Sequence, residues 1–232
     1  MKPSRALILT HAAEDVLGSL PDLLQEQGIR PEARYVGESL PDPAALDVLM
    51  VMGSPESAYD HRLPWVPKEL NWLKEVQKRG VPTLGICFGS QILARALGGE
   101  CYRNSAPEIG WLKHQVHAEG WPHGGPWLDF HFDAFRVPPK AELLSSTDMA
   151  AQAYRQGKSL GVQFHPEITV AMYDTWINEW LSVESGRRFH EKSGDLLESL
   201  RAQIQNNEEN NRARFRALLG DFLNRAGSDV AD

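Results

Sequence analysis

A glycine-flanked cysteine at the seam between an apolar strand and a helix constrains this chain more than any other feature. Val81 to Ile86 reads as a short buried strand and Gly89 to Leu97 as a helix stopped by Gly98-Gly99. Between them, Gly85-Ile86-Cys87-Phe88-Gly89 leaves room only for a tight turn. Bulky neighbours would clash there, so the glycines let the cysteine stand above the sheet edge. Such a turn needs a strand that feeds directly into a helix, the unit from which parallel α/β sheets are built.

The same alternation runs through the first hundred residues. Arg5 to Thr10 reads as a buried strand, followed by a helix from about Ser19 to Gln27 that stops at Gly28. Leu46 to Met52 repeats the strand pattern, and Trp65 to Arg79 places Leu70, Leu73 and Val76 on one helical face ended by Gly80. From Cys101 to about Val162 the pattern changes to short β-like pieces rich in turn formers, which predicts an antiparallel extension. Within it, the Trp121 to Trp127 loop reads either as a cover for the site or as packing. Thr169 to Val183, Leu196 to Ile204 and Ala213 to Leu223 read as helices, the last two separated by a polar Asn-Asn-Glu-Glu-Asn-Asn run.

With 232 residues and 42% hydrophobic content, the chain can build one sizeable core. A formal charge of −7 argues against a nucleic-acid or anionic-membrane surface. Two cysteines are too few for a disulfide scaffold, and no apolar stretch reaches the roughly 20 residues of a membrane span. A reduced, cytoplasmic setting is expected. Cys101 follows a Gly-Gly-Glu turn with no base nearby in sequence and reads as structural.

Far downstream lies Gly161-Val162-Gln163-Phe164-His165-Pro166-Glu167. In an extended segment, His165 and Glu167 fall on one side, with Pro166 stiffening the backbone between them. The carboxylate can then orient the imidazole as a base for Cys87. A helix start at Phe88 would lower the thiol pKa from about 8.5 and offer an N–H to an oxyanion. Taken singly, a cysteine after an apolar strand is more often a small core residue and a His-Pro-Glu a turn. Their conjunction in this order points to a thiol enzyme.

These residues resemble the class I, triad-type glutamine amidotransferases, with their G-x-C-x-G-x-Q elbow and downstream H-P-E. Val51 to Asp60 resembles the family's oxyanion strand and the Ser-x-Tyr-Asp that follows it in stand-alone members similar to the glutaminase domain of GMP synthetase. Glu108-Ile109-Gly110-Trp111 resembles another segment of that subgroup. The fold expected is α/β: three layers, with a flavodoxin-like, mostly parallel sheet, an antiparallel extension and C-terminal helices. Residues 1–184 would form the amidotransferase-like domain and 185–232 a helical extension packed on it.

The resemblance implies that Cys87 attacks the glutamine side-chain amide, that His165 serves as base and Glu167 orients it. It also implies that Ser54 and Phe88 supply the oxyanion hole and that Gln91, His131 and Asp133 hold the substrate. No cofactor or metal is implied. Two departures stand out: Ser54 replaces the second glycine of Gly-Gly-Pro, and Phe132 replaces the glycine of a His-Gly-Asp segment.

The sequence contains neither a G-x-x-x-x-G-K-[ST] loop nor a Ser-Gly-Gly-Val-Asp-Ser pyrophosphatase loop. Two readings therefore stand side by side. In one, ammonia from glutamine passes to a separate synthase subunit; in the other, the thiol site is a stand-alone γ-glutamyl peptidase or amide hydrolase. A homo-oligomer is a further partner left open. A metal-binding module built from His114, His117, His123 and His131 with Asp133 is disfavoured by its irregular spacing. A catalytically dead interaction protein is disfavoured by the presence of all three triad residues.

Overall fold

The computed structural model describes residues 3–12 and 15–227. Its core is an eight-stranded sheet whose central strands are buried throughout and whose edge strands are the more exposed. The first strands are β1 (Arg5–Thr10), β2 (Arg30–Tyr35), β3 (Val48–Val51) and β4 (Thr83–Ile86). With β10 (Ser159–Val162) they form a parallel block in the order β2-β1-β3-β4-β10. β9 (Ala151–Gln156), β8 (Glu142–Ser146) and β6 (Gln115–Val116) continue it antiparallel. This is the flavodoxin-like arrangement expected, extended on one side.

The period-two alternation of the strands divides the core between two faces. Ala6, Ile8, Val48, Met50, Leu84 and Ile86 turn one way; Leu7, Leu9, Leu49 and Val51 turn the other. Onto the first face pack α1 (Leu20–Glu26) and the last turns of α5 (Glu184–Ala226). Onto the second pack α2 (Trp65–Lys78) and α3 (Phe88–Ala96), through Val66, Leu73, Val76, Phe88 and Ile92. Each fully buried Leu or Ile contributes roughly 1.5–3 kcal/mol of burial free energy, so both faces are needed to hold the central strands.

Part of the antiparallel segment leaves the main sheet. β5 (Glu100–Leu112) and β7 (Trp127–Arg136) form a separate two-stranded ribbon, with the register shifting between Arg103 and Glu108. This ribbon packs against α4 (Val170–Ser182) and the first half of α5 through Leu128, Ile168, Met172, Leu197 and Leu200. The Trp121–Trp127 loop is packing: Trp127 is buried and stacks on Phe164 at 4.8 Å, and Trp121 lies in the central core. No helix among the described residues is long and apolar enough to cross a membrane.

Two elements differ from the sequence expectation. β2 was not anticipated, because an edge strand reading Arg-Pro-Glu-Ala-Arg-Tyr buries little and carries no apolar signature. The two terminal helices expected are one continuous stretch of α5, which kinks earlier, at Ser193, rather than at the Asn-rich run. That run stays helical because its side chains have partners. Asn207 donates to Gln203 O at 2.8 Å, Glu208 accepts from the first amide of α4 at 3.0 Å, and buried Asn211 donates to Pro166 O at 2.9 Å. Tertiary satisfaction overrides the weak helix propensity of asparagine.

Candidate functional site

The turn at Cys87 is as tight as its glycines demand. Cys87 has φ +51° and ψ −112°, and is the one non-glycine residue with a positive φ among those described. Such a conformation costs about 1–3 kcal/mol and persists only where the surroundings enforce it. A Cβ on Gly85 would lie 2.5 Å from Gly89 O, and one on Gly89 would lie 2.0 Å from Val51 O. Both clashes involve backbone, so no side-chain shift could relieve them. The Cys87 amide donates to Val162 O at 2.9 Å, tying the elbow to β10.

The His-Pro-Glu segment leaves that same strand and is held from three directions. The His165 amide donates to Leu128 O of β7 at 2.8 Å, Asn211 of α5 holds Pro166 O, and the amide of Ser19, at the start of α1, donates to Glu167 O at 2.9 Å. With the backbone pinned, His165 Nδ1 lies 2.9 Å from Glu167 Oε1. The ring lines the same cleft as Cys87. Burial alone would push this imidazole down. The charge of the Cys87 sulfur and of Glu167, with the hydrogen bond to Glu167, outweighs burial and holds it well above its usual value. Trp176 closes one side, edge to face with the ring at 4.7 Å.

The remaining expected residues border the same cleft. Phe88 opens α3, where the first amides have no intrahelical acceptor. Ser54 lies beyond the end of β3; a Cβ on its neighbour Gly53 would sit 3.5 Å from His165 Cε1 and 3.8 Å from Cys87 Cβ. Gln91 directs its amide at Asp133 O (3.1 Å) and Gln163 Oε1 (3.2 Å), and Gln163 in turn donates to Cys87 Sγ at 3.6 Å. His131 Nδ1 faces Asp133 O at 3.0 Å. The Asp133 carboxylate accepts from Ser57 (2.5 Å), Tyr59 (3.2 Å) and Arg103 (3.2 Å). The Ser-x-Tyr-Asp segment and the ribbon thus meet on one carboxylate.

Phe132 stands at the rim, its ring 5.7 Å from Trp180, 5.8 Å from Phe189 and beneath Arg103. It adds to an apolar wall of Met172, Trp176, Ile177 and Trp180. Sequence reasoning saw these α4 residues only as an amphipathic face; the i, i+4 pair Trp176 and Trp180 was the signal available. Asp15 was also missed. Burial, opposed by His11 and reinforced by Glu179, pushes its carboxyl up to about 6. Cys101 points away from this chemistry: its thiol donates to Gln91 O at 2.9 Å, and burial pushes it up to about 12.

Of the four histidines considered for a metal, His114 and His131 both approach Asp129, His131 at 3.6 Å and also 3.4 Å from Glu108, while the other two have partners of their own. His114 meets Asp129 at 2.9 Å, His117 meets Ser146 at 2.8 Å, and His123 meets Asp221 at 2.8 Å. Among the described residues no group of three or more His, Cys, Asp or Glu side chains is arranged to hold a metal ion.

Cys87 is only 8% exposed, so the elbow sets it at the floor of the cleft and not out above the sheet as the sequence suggests. A nucleophile elbow on a flavodoxin-like sheet, beside a His-x-Glu loop, defines a class that comparison with known proteins makes specific. The family model for glutamine amidotransferase class-I matches residues 19–180, and the chain belongs to that family. A GMP synthase (glutamine-hydrolyzing) from Aeropyrum pernix is 32% identical over 175 residues, covering 71% of this chain and 32% of that protein. One from Marinobacter nauticus is 36% identical over 138 residues, covering 52% and 25%. The chain thus spans a third or less of the length of these curated relatives.

Among solved structures, a glutamine amidotransferase from Thermotoga maritima superposes with a TM-score of 0.83 at 25% identity, covering 94% of this chain and 97% of that one. Another from Methylobacillus flagellatus gives 0.68 at 29%, covering 79% and 76%. The chain is a class-I, GMP synthase-like glutamine amidotransferase in family, and the family's enzymes are its homologues.

Proposed function

We propose that this protein hydrolyses the side-chain amide of glutamine through a γ-glutamyl thioester on Cys87. The observation that carries the reading is one cleft that holds Cys87 at its strand-to-helix elbow together with a buried imidazole 2.9 Å from Glu167. In the first half-reaction the sulfur attacks the amide carbonyl, and the oxyanion is received by the amides of Ser54 and Phe88. His165 gives its proton to the departing nitrogen, and ammonia leaves. In the second, His165 takes a proton from water, hydroxide adds to the thioester, and glutamate leaves as the thiolate is restored. Glu167 keeps Nδ1 protonated and steadies the imidazolium throughout. Gln91, His131 and Asp133 hold the amino-acid end of the substrate.

A second reading is favoured by the apolar wall of Phe132, Trp176, Ile177 and Trp180 beside the thiol. It gives a larger leaving group than ammonia somewhere to lie, as a γ-glutamyl peptidase or amide hydrolase would require. Release of ammonia to a synthase subunit, a homo-oligomeric state and a cytoplasmic setting belong to the first reading as proposals. So does the division into a domain over 1–184 and an extension over 185–232, of which 228–232 lie outside the described residues. The Asn211 and Glu208 contacts support an extension that helps hold the site.

Incubating the purified protein with glutamine and a panel of γ-glutamyl amides, while following glutamate release, separates the readings. Faster turnover of glutamine supports the first and faster turnover of a bulky γ-glutamyl amide the second. Release that persists in Cys87→Ala contradicts both.

A further inference from the structure

His11, which follows directly on β1, is buried beside the segment that carries Ser54, at the wall of the same cleft. Its side chain is 1% exposed, and that of Glu69, its partner on α2, is 0% exposed. Nε2 lies 3.1 Å and 3.2 Å from the two Glu69 oxygens, while Nδ1 lies 3.0 Å from Gly53 O. A carbonyl can only accept, so Nδ1 donates to Gly53 O; with Glu69 ionised, Nε2 donates as well and the ring is an imidazolium. Burial would lower this imidazole. The charge and hydrogen bonds of Glu69, with the bond to Gly53 O, raise it instead. The ring also packs edge to face on Phe88 at 4.6 Å.

A buried charged pair is a costly feature for a fold to keep when apolar residues would pack as well. The position of this one gives it a use. In a trans peptide the C=O and N–H point in opposite directions, so the donor that holds Gly53 O also sets where the Ser54 N–H points. Glycine at 53 makes rotation of that peptide cheap, and Ser54 lacks the freedom of a second glycine. An anchored carbonyl removes the competing orientation before substrate arrives.

We propose that His11, clamped by Glu69, is a positioning residue that locks the Gly53–Ser54 peptide with its N–H aimed at the oxyanion above Cys87. The proposal rests on the thioester reading and deepens it. The imidazolium also polarises the peptide it holds, which makes the Ser54 N–H a better donor.

The test compares His11→Asn, whose amide nitrogen can occupy the place of Nδ1, with His11→Gln, whose amide reaches the place of Nε2. Steady-state kinetics on the best γ-glutamyl amide are measured beside the rate of Cys87 alkylation by iodoacetamide, a reaction that forms no oxyanion. In the Gln variant kcat is expected to fall about tenfold to a hundredfold, with KM and alkylation essentially unchanged, and the Asn variant should recover most of the loss. Equal kcat in wild type and His11→Gln, or a parallel fall in turnover and alkylation, would overturn the proposal. Turnover that survives Cys87→Ala would instead remove the thioester reading beneath it.

Discussion

His165 and His114 both lie buried with a ring nitrogen 2.9 Å from a carboxylate oxygen, Glu167 in one case and Asp129 in the other. Each also packs on an aromatic ring, Trp176 for His165 and Phe164 for His114. The pairs differ at the second nitrogen. That of His165 belongs to a ring that lines one cleft with Cys87, whose sulfur helps raise it, whereas His114 Nδ1 is buried without a hydrogen-bond partner among the described residues. A single N–H serves His114, which pins the ribbon residue Asp129 to the loop before β6. His165 combines a carboxylate partner with a thiol in the same cleft and is therefore set up to move a proton. An imidazole–carboxylate pair alone says little about chemistry; what the other nitrogen meets decides its role.

The largest test of this contrast is loss of either end of the thiol pair. Cys87→Ala should reduce glutamate release below detection, and His165→Ala should cost about a thousandfold or more in kcat, since one removes the nucleophile and the other the base assigned to both steps. Next, Glu167→Ala should cost on the order of a hundredfold, because it removes the orienting group and leaves base and nucleophile in place. In His114→Ala the effect should move from activity to stability. Removing the hydrogen-bonded partner of buried Asp129, and leaving only His131 at 3.6 Å, is expected to cost about 1–3 kcal/mol in denaturant unfolding, with turnover retained. Smallest of all, Cys101→Ala should leave both turnover and labelling by a glutamine-mimicking electrophile intact. A large loss of activity in His114→Ala or Cys101→Ala would erase the distinction drawn between the two pairs.

The elbow was legible because its requirement is local: glycines four residues apart around a cysteine answer a backbone clash that any such turn meets. His165 and Glu167 were legible for the same reason, as neighbours two residues apart on one side of an extended segment. Their approach to Cys87 rests on β4 and β10 being adjacent, a pairing across more than seventy residues that no local pattern encodes. β2 escaped because an edge strand needs no apolar face. The Asn-rich stretch of α5 read as a break because its partners, Pro166 and the start of α4, lie far away in sequence. His11 and Glu69 escaped for the same reason: each is unremarkable alone, and only the fold brings them together, 58 residues apart.

The central claim is that sulfur, imidazole and carboxylate act as one coupled unit, and ring titration of His165 by NMR tests it most directly. A histidine raised above its ordinary 6.5 stabilises the fold fully below that value and loses the contribution as pH rises through the folded value. The wild-type ring should therefore stay protonated well above 6.5, and in Cys87→Ala, where the sulfur no longer holds the charge, its titration should move down. The same midpoint in both proteins, or a wild-type midpoint at or below 6.5, would contradict the account.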